Sequence, residues 1–158
     1  MTNSMAFETN KCLNAERAKR IPNVRFTIKS IIKGKVEELG KMMIQTLADS
    51  KLFEVLYVSE DATEKEMSGV YCCDLLSIAM TKVPAGAAWV TVMSNLNTLA
   101  VASLTEAACV ILAEDVAVEE AVLERAKQQG ICLFRTKQPV FEAALAVYTL
   151  CKESVYSI

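Results

Sequence analysis

The stretch VYCCDLLSIAM, residues 70–80, reads as the end of one kind of element and the start of another. VYCC (70–73) is apolar and rich in strand formers, while DLLSIAMTKV (74–83) has helical character. The same change of pattern recurs three times. WVTVM (89–93), CVIL (109–112) and ICLF (131–134) are short apolar runs, followed by helix-like segments over 97–108, 118–130 and 139–153, with the last two ended and opened by Gly130 and Pro139. Runs that are apolar at nearly every position belong to strands covered on both faces. Strands alternating with helices imply an α/β fold with a mostly parallel sheet and right-handed crossovers.

Adjacent residues of a strand point to opposite faces, so Cys72 and Cys73 are expected in different buried layers, unable to share a metal or form an ordinary disulfide. Asp74 then stands at the strand's carboxyl end. Two roles are open to it: a helix N-cap that accepts backbone N–H bonds, or a ligand-facing group in the crevice that parallel sheets form at their carboxyl ends. In the second role Asp74, Ser77, Asn95, Asn97 and Thr136 would meet at that crevice as ligand-binding residues. Asn95 and Asn97, in MSNLN (93–97), are the strongest of these, although capping and turn chemistry also accounts for them. Asn97 is expected to cap the apolar helix 97–108, which should lie buried at the centre. Thr136 or Gln138 is the expected cap of the helix that follows Pro139. Glu114 and Asp115, adjacent in a loop, read as solvated carboxylates rather than a catalytic pair, and Trp89 as core.

The 158 residues suit one domain with a sizeable core. Hydrophobic residues make up 53% and charged residues 23%, a globular composition, and no apolar run reaches membrane-spanning length. Net charge is −2, divided unevenly: residues 1–35 hold eight Lys and Arg against two acids, and residues 36–158 hold nine against seventeen. Residues 1–23 are therefore set apart as a basic arm, poorly ordered, and residues 24–158 as a single domain. Such an arm can bind nucleic acid or anionic lipid or serve as a transit segment; its scarcity of aromatics favours a solvated tail. Residues 27–50 suggest one or two helices broken near Lys33 and Gly34, FEVLYVS (53–59) a strand, and EDATEKEMSG (60–69) an acidic connection.

The chain has no histidine, no GxxxxGK[ST] and no GxGxxG. That removes the usual general base, the histidine triads and Walker-type phosphoryl transfer. Six cysteines sit mostly among aliphatic neighbours without a CxxC, as packed thiols of a reduced compartment. No metal site is expected.

The ordered blocks MSGVYCCDLLSIAM, AAWVTVMSNLNTLAVASL, ACVILAED and GICLFRTKQPVFEAAL resemble the DRTGG domain family over about residues 66–146, although the naming pentapeptide is absent and KEMSG (65–69) is its nearest string. The resemblance implies a three-layer α/β/α fold similar to the amino-terminal domain of HPr kinase/phosphorylase. It also implies an accessory module that aids regulation or oligomerisation, such as those beside CBS domains in regulatory pyrophosphatases. The expectation is thus a non-enzymatic, cytoplasmic regulatory or adaptor module. It would need no cofactor beyond a small anionic or nucleotide-like ligand at the strand ends. A homodimer and a protein partner in a metabolic or redox enzyme system are expected, with neither membrane nor nucleic acid as partner. The alternative is a small enzyme or redox protein using Asp74 or Cys73, the latter with a thiol near a helix N-terminus.

Overall fold

The computed structural model describes residues 42–153, so the basic arm and most of the helical segment expected over 27–50 lie outside the described residues. A five-stranded sheet in the order β2-β7-β6-β5-β4 forms the middle layer. Its strands are β2 (Glu54–Tyr57), β4 (Gly69–Cys72), β5 (Ala87–Thr91), β6 (Cys109–Leu112) and β7 (Cys132–Arg135). The four from β4 to β7 run parallel, and β2 closes the far edge antiparallel to β7, with a bulge between Val55 and Tyr57. Two short strands, β1 (Met42–Met43) and β3 (Glu66–Met67), pair separately.

Helices α2 (Leu76–Lys82), α3 (Leu96–Leu104) and α4 (Glu120–Gln129) connect successive parallel strands. Ala79, Leu99, Ala102, Val122 and Ala126 from these helices pack with Trp89, Val110, Leu112 and Leu133 of the sheet. On the opposite face, α1 (Ile44–Asp49) and α5 (Val140–Glu153) contribute Ile44, Leu47, Ala143 and Val147 against Ala88, Val90, Ile111 and Phe134. The alternation is strict: in β5, Ala88 and Val90 join one cluster and Trp89 the other. Every residue of β5 and β6 is buried, as the unbroken apolar runs require. The result is a three-layer α/β/α arrangement, and the expected mostly parallel sheet is present.

Element ends show where local chemistry was read well and where it was not. Helix α4 ends as expected, with Gly130 left-handed at φ 63 and its N–H bonded to the Ala126 and Lys127 carbonyls. Asn97, expected as the cap of the third helix, lies inside its first turn; the cap is Asn95, whose side chain accepts from the Thr98 N–H at 3.1 Å. Nor is α3 wholly buried, since Leu96 and Leu104 are exposed on its outer side. The acidic connection 60–69 contains a 3₁₀ turn at Glu60–Thr63 and the strand β3. Neither Thr136 nor Gln138 caps α5: its first backbone bond runs from Ala143 N–H to the Pro139 carbonyl, and the Thr136 hydroxyl accepts from Gln138 N–H instead.

Cys109 and Cys132 are register partners on β6 and β7, and their side chains point into the same apolar cluster. Burial raises the Cys109 thiol well above its ordinary 9.0, with the neighbouring Cys132 adding to the effect. A thiol that stays protonated when folded and ionises when unfolded makes the unfolded chain release protons at alkaline pH, so stability holds below about pH 9 and declines above it. Urea midpoints at pH 8 and pH 10.5 should show this decline, and Cys109→Ala should make it shallower.

Candidate functional site

The carboxyl ends of the four parallel strands face one end of the domain, where the β4–α2, β5–α3, β6–α4 and β7–α5 loops gather. The five residues read from the sequence as ligand-facing fall in two places along this edge. Asp74, Ser77, Asn95 and Asn97 belong to the ends of β4 and β5, whereas Thr136 follows β7, two strand spacings from β5 and three from β4, or about 10 to 14 Å away.

At the β4–β5 end, Asp74 is not the cap of α2. Leu75 occupies that position and makes no side-chain cap bond. One carboxylate oxygen of Asp74, Oδ1, instead accepts from the Thr91 hydroxyl at 2.8 Å and the Val92 N–H at 2.9 Å. The reason is geometric: β5 is the next strand, and its last residue brings a buried hydroxyl that needs an acceptor. Thr91 Oγ1 in turn accepts from Met93 N–H, and the Thr98 hydroxyl donates to the Met93 carbonyl. Asn95 then receives Thr98 N–H, so Asp74 and Asn95 terminate one run of bonds that fixes the path from β5 into α3. Ser77 and Asn97 sit in the first turns of α2 and α3, exposed to solvent.

Cys72 and Cys73 diverge as strand geometry requires, with Cys73 packed beside the Trp89 cluster. The expectation that both are buried fails for Cys72, which is exposed because β4 is the outermost strand. Partial desolvation raises the Cys72 thiol, with Asp74 contributing repulsion between like charges. The half-buried Cys73 thiol donates to the Leu75 carbonyl at 3.4 Å, and the Cys73 carbonyl accepts from the Trp89 indole at 2.9 Å. Among the described residues no group of three or more His, Cys, Asp or Glu side chains is arranged to hold a metal ion.

At the β6–β7 end the loops are bound to each other. Thr136 N–H donates to the Leu112 carbonyl, Asp115 N–H to the Thr136 carbonyl, and Glu114 N–H to the Gln138 carbonyl, all within 3.0 Å. Glu114 and Asp115 both adopt left-handed backbone conformations, at φ 60 and 53. Their side chains are exposed, in keeping with solvated carboxylates. Beside Thr136 opens a cavity of about 400 Å³, lined by Lys51, Glu54, Asp115, Arg135 and Lys137. Arg135 and Glu54 are opposed across β7 and β2, with Nε and Nη2 both on Oε2 at 2.8 and 2.7 Å. Lys137 approaches Asp115 at 3.9 Å and is 87% exposed, a pair worth about 0–1 kcal/mol. Sequence reading missed this basic group because Lys51 comes from a segment more than eighty positions away from Arg135 and Lys137. The one available signal was RTK at 135–137, a basic doublet around a candidate already chosen.

The network predicts that Asp74→Ala destabilises the fold by about 1–3 kcal/mol, because it leaves the proton of the buried Thr91 hydroxyl without its acceptor, and urea unfolding measures the loss. Timed iodoacetamide labelling of the folded protein should modify Cys72 before Cys109 or Cys132, with mass spectrometry reporting the order.

No family model matches the chain, and no curated protein does. Among solved structures, the chain is similar to the crystal structure of the CBS and DRTGG domains of the regulatory region of Clostridium perfringens pyrophosphatase, complexed with its activator, diadenosine tetraphosphate. The two share 14% sequence identity with a TM-score of 0.57, over 71% of this chain and 49% of the other. The chain thus matches about half the length of that neighbour. A likeness at this identity speaks to the fold alone, and it supports a DRTGG-like fold.

Proposed function

We propose that the chain is a regulatory module without catalytic activity, which takes a small anionic or nucleotide-like ligand at the carboxyl ends of its parallel strands. The observation that carries this reading is where the polar accounting fails. Among the described residues, two buried side-chain polar atoms have no hydrogen-bond partner: Ser94 Oγ and Gln138 Oε1. Ser94 lies in the loop leaving β5 and Gln138 in the loop leaving β7, both at the carboxyl end. An unpaired buried polar atom costs about 1–3 kcal/mol, and such groups collect where a bound molecule or ordered water completes the set. The pyrophosphatase region of similar fold carries a nucleotide activator, which accords with this use of the scaffold.

The chemistry of the candidates favours binding over catalysis. Asp74 spends its carboxylate on Thr91 and Val92, and the exposed Cys72 thiol is shifted away from the reactive thiolate. A turnover abolished by Cys73→Ser in a variant that still folds would instead establish the enzymatic alternative. Homodimerisation belongs to the same proposal, supported by the apolar Leu75, Ile78, Leu96 and Leu104 that α2, α3 and the loop before α2 leave exposed. Light scattering that returned the mass of one chain at every concentration tested would remove that part.

The test is a thermal-shift series with diadenosine tetraphosphate, adenine mononucleotides and dinucleotides. A ligand present at about 100 times its dissociation constant adds about 2.7 kcal/mol, which should raise the melting temperature of a domain this size by at least about 5 °C. No shift with any of them would remove the nucleotide-like reading.

A further inference from the structure

We infer that the cavity beside Thr136 is a phosphate-binding corner in which Lys51, Arg135 and Lys137 supply the positive charge. This rests on the strand-end reading above and gives it a place and a ligand chemistry. Three segments meet here: the loop between α1 and β2 brings Lys51, the last residue of β7 is Arg135, and the loop into α5 brings Lys137. Three basic side chains face two acidic ones, Glu54 and Asp115, on a chain whose net charge is −2. The corner is thus locally positive in a molecule that is not.

The two acids do different things. Glu54 is bound through one oxygen to Nε and Nη2 of Arg135, its register partner, which holds the guanidinium plane at the cavity wall and leaves Nη1 outside those contacts. Asp115 reaches Lys137 only at 3.9 Å, and Lys137 is almost fully exposed, so the ammonium can turn to an incoming anion at little cost. Lys51 makes no ion pair within 4 Å among the described residues. Its backbone is left-handed at φ 58, a conformation set by the tight passage from α1 to β2. One oriented guanidinium and two mobile ammonium groups form a donor set suited to the several oxygens of a phosphate dianion.

The walls also limit what else binds. Phe53, the one aromatic residue lining the cavity, is 5% exposed, so no ring face is offered for a nucleobase to stack on. A phosphorylated ligand is therefore gripped by its phosphate, and the rest of it projects toward solvent or along the strand ends. The volume of about 400 Å³ exceeds what orthophosphate fills and accommodates a phosphate ester.

Isothermal titration of the full chain with orthophosphate, ribose 5-phosphate, ADP and unphosphorylated ribose tests the assignment. The phosphate-bearing probes should bind and ribose should not, with affinity falling as salt rises. Ranking the three separates free phosphate from an ester or a nucleotide as the natural source. Lys51→Ala and Lys137→Ala each alter an exposed side chain, leave the fold intact by circular dichroism, and should weaken binding about tenfold. Arg135→Lys keeps the charge without the fork and should also weaken it. Lys82→Ala, which removes an exposed positive charge at the C-terminal end of α2 and outside the cavity lining, should change nothing. Unaltered affinity in both Lys51→Ala and Lys137→Ala, an equal loss in Lys82→Ala, or no binding of any phosphate probe would overturn the corner. A nucleotide-induced thermal shift that survived in the lysine variants would overturn the corner and leave the regulatory reading standing; no shift in any protein would remove both.

Discussion

A parallel sheet can leave neither face to water, and most of what this molecule offers follows from that constraint. Its inner strands spend nearly every side chain on burial, Arg135 at the end of β7 excepted: Trp89, Val110, Leu112 and Leu133 on one face, and Ala88, Val90, Ile111 and Phe134 on the other. Polar side chains are thereby pushed to the strand ends and the loops. Because β4 to β7 run parallel, their carboxyl ends fall on the same edge, and the polar groups accumulate there in a row. The candidate site is a consequence of how the core is built rather than an addition to it.

The row has two characters. Near β4 and β5, hydrogen bonds close on one another, from Asp74 through Thr91 and Met93 to Thr98 and Asn95, which gives a stiff bridge with little donor capacity left over. Near β6 and β7, the main chain is tied down by the Thr136, Asp115 and Glu114 amides, while charged side chains remain extended around a cavity. A rigid backbone under mobile charged groups is a common basis for recognition, since the entropy lost on binding is confined to a few side chains.

Much of the fold was legible in the sequence, because continuous apolar runs report burial on two faces and four such runs alternate with helical segments. CVIL (109–112) is a strand with the bounds read, and Gly130 ends its helix as read. Errors concentrate where a residue's partner is remote in the chain. Asp74 suits an N-cap by local rules, yet the buried Thr91 hydroxyl, seventeen positions away, takes its carboxylate. Cys72 looks buried from its neighbours, but only the strand order reveals that β4 is an edge. The candidate site was half legible for the same reason: Thr136 is a candidate by its place after a strand and does line the cavity, whereas Lys51 and Glu54 come beside it through the antiparallel pairing of β2 with β7, which no local pattern announces.

The sole tryptophan of the chain sits wholly buried in β5, and its indole N–H is bonded to the Cys73 carbonyl just beyond β4. One chromophore therefore spans the junction between the outermost strand and its inner neighbour. Fluorescence from that single ring reports whether the junction is closed, without any introduced label, and gives an optical reading of whether events at the strand ends reach the sheet itself.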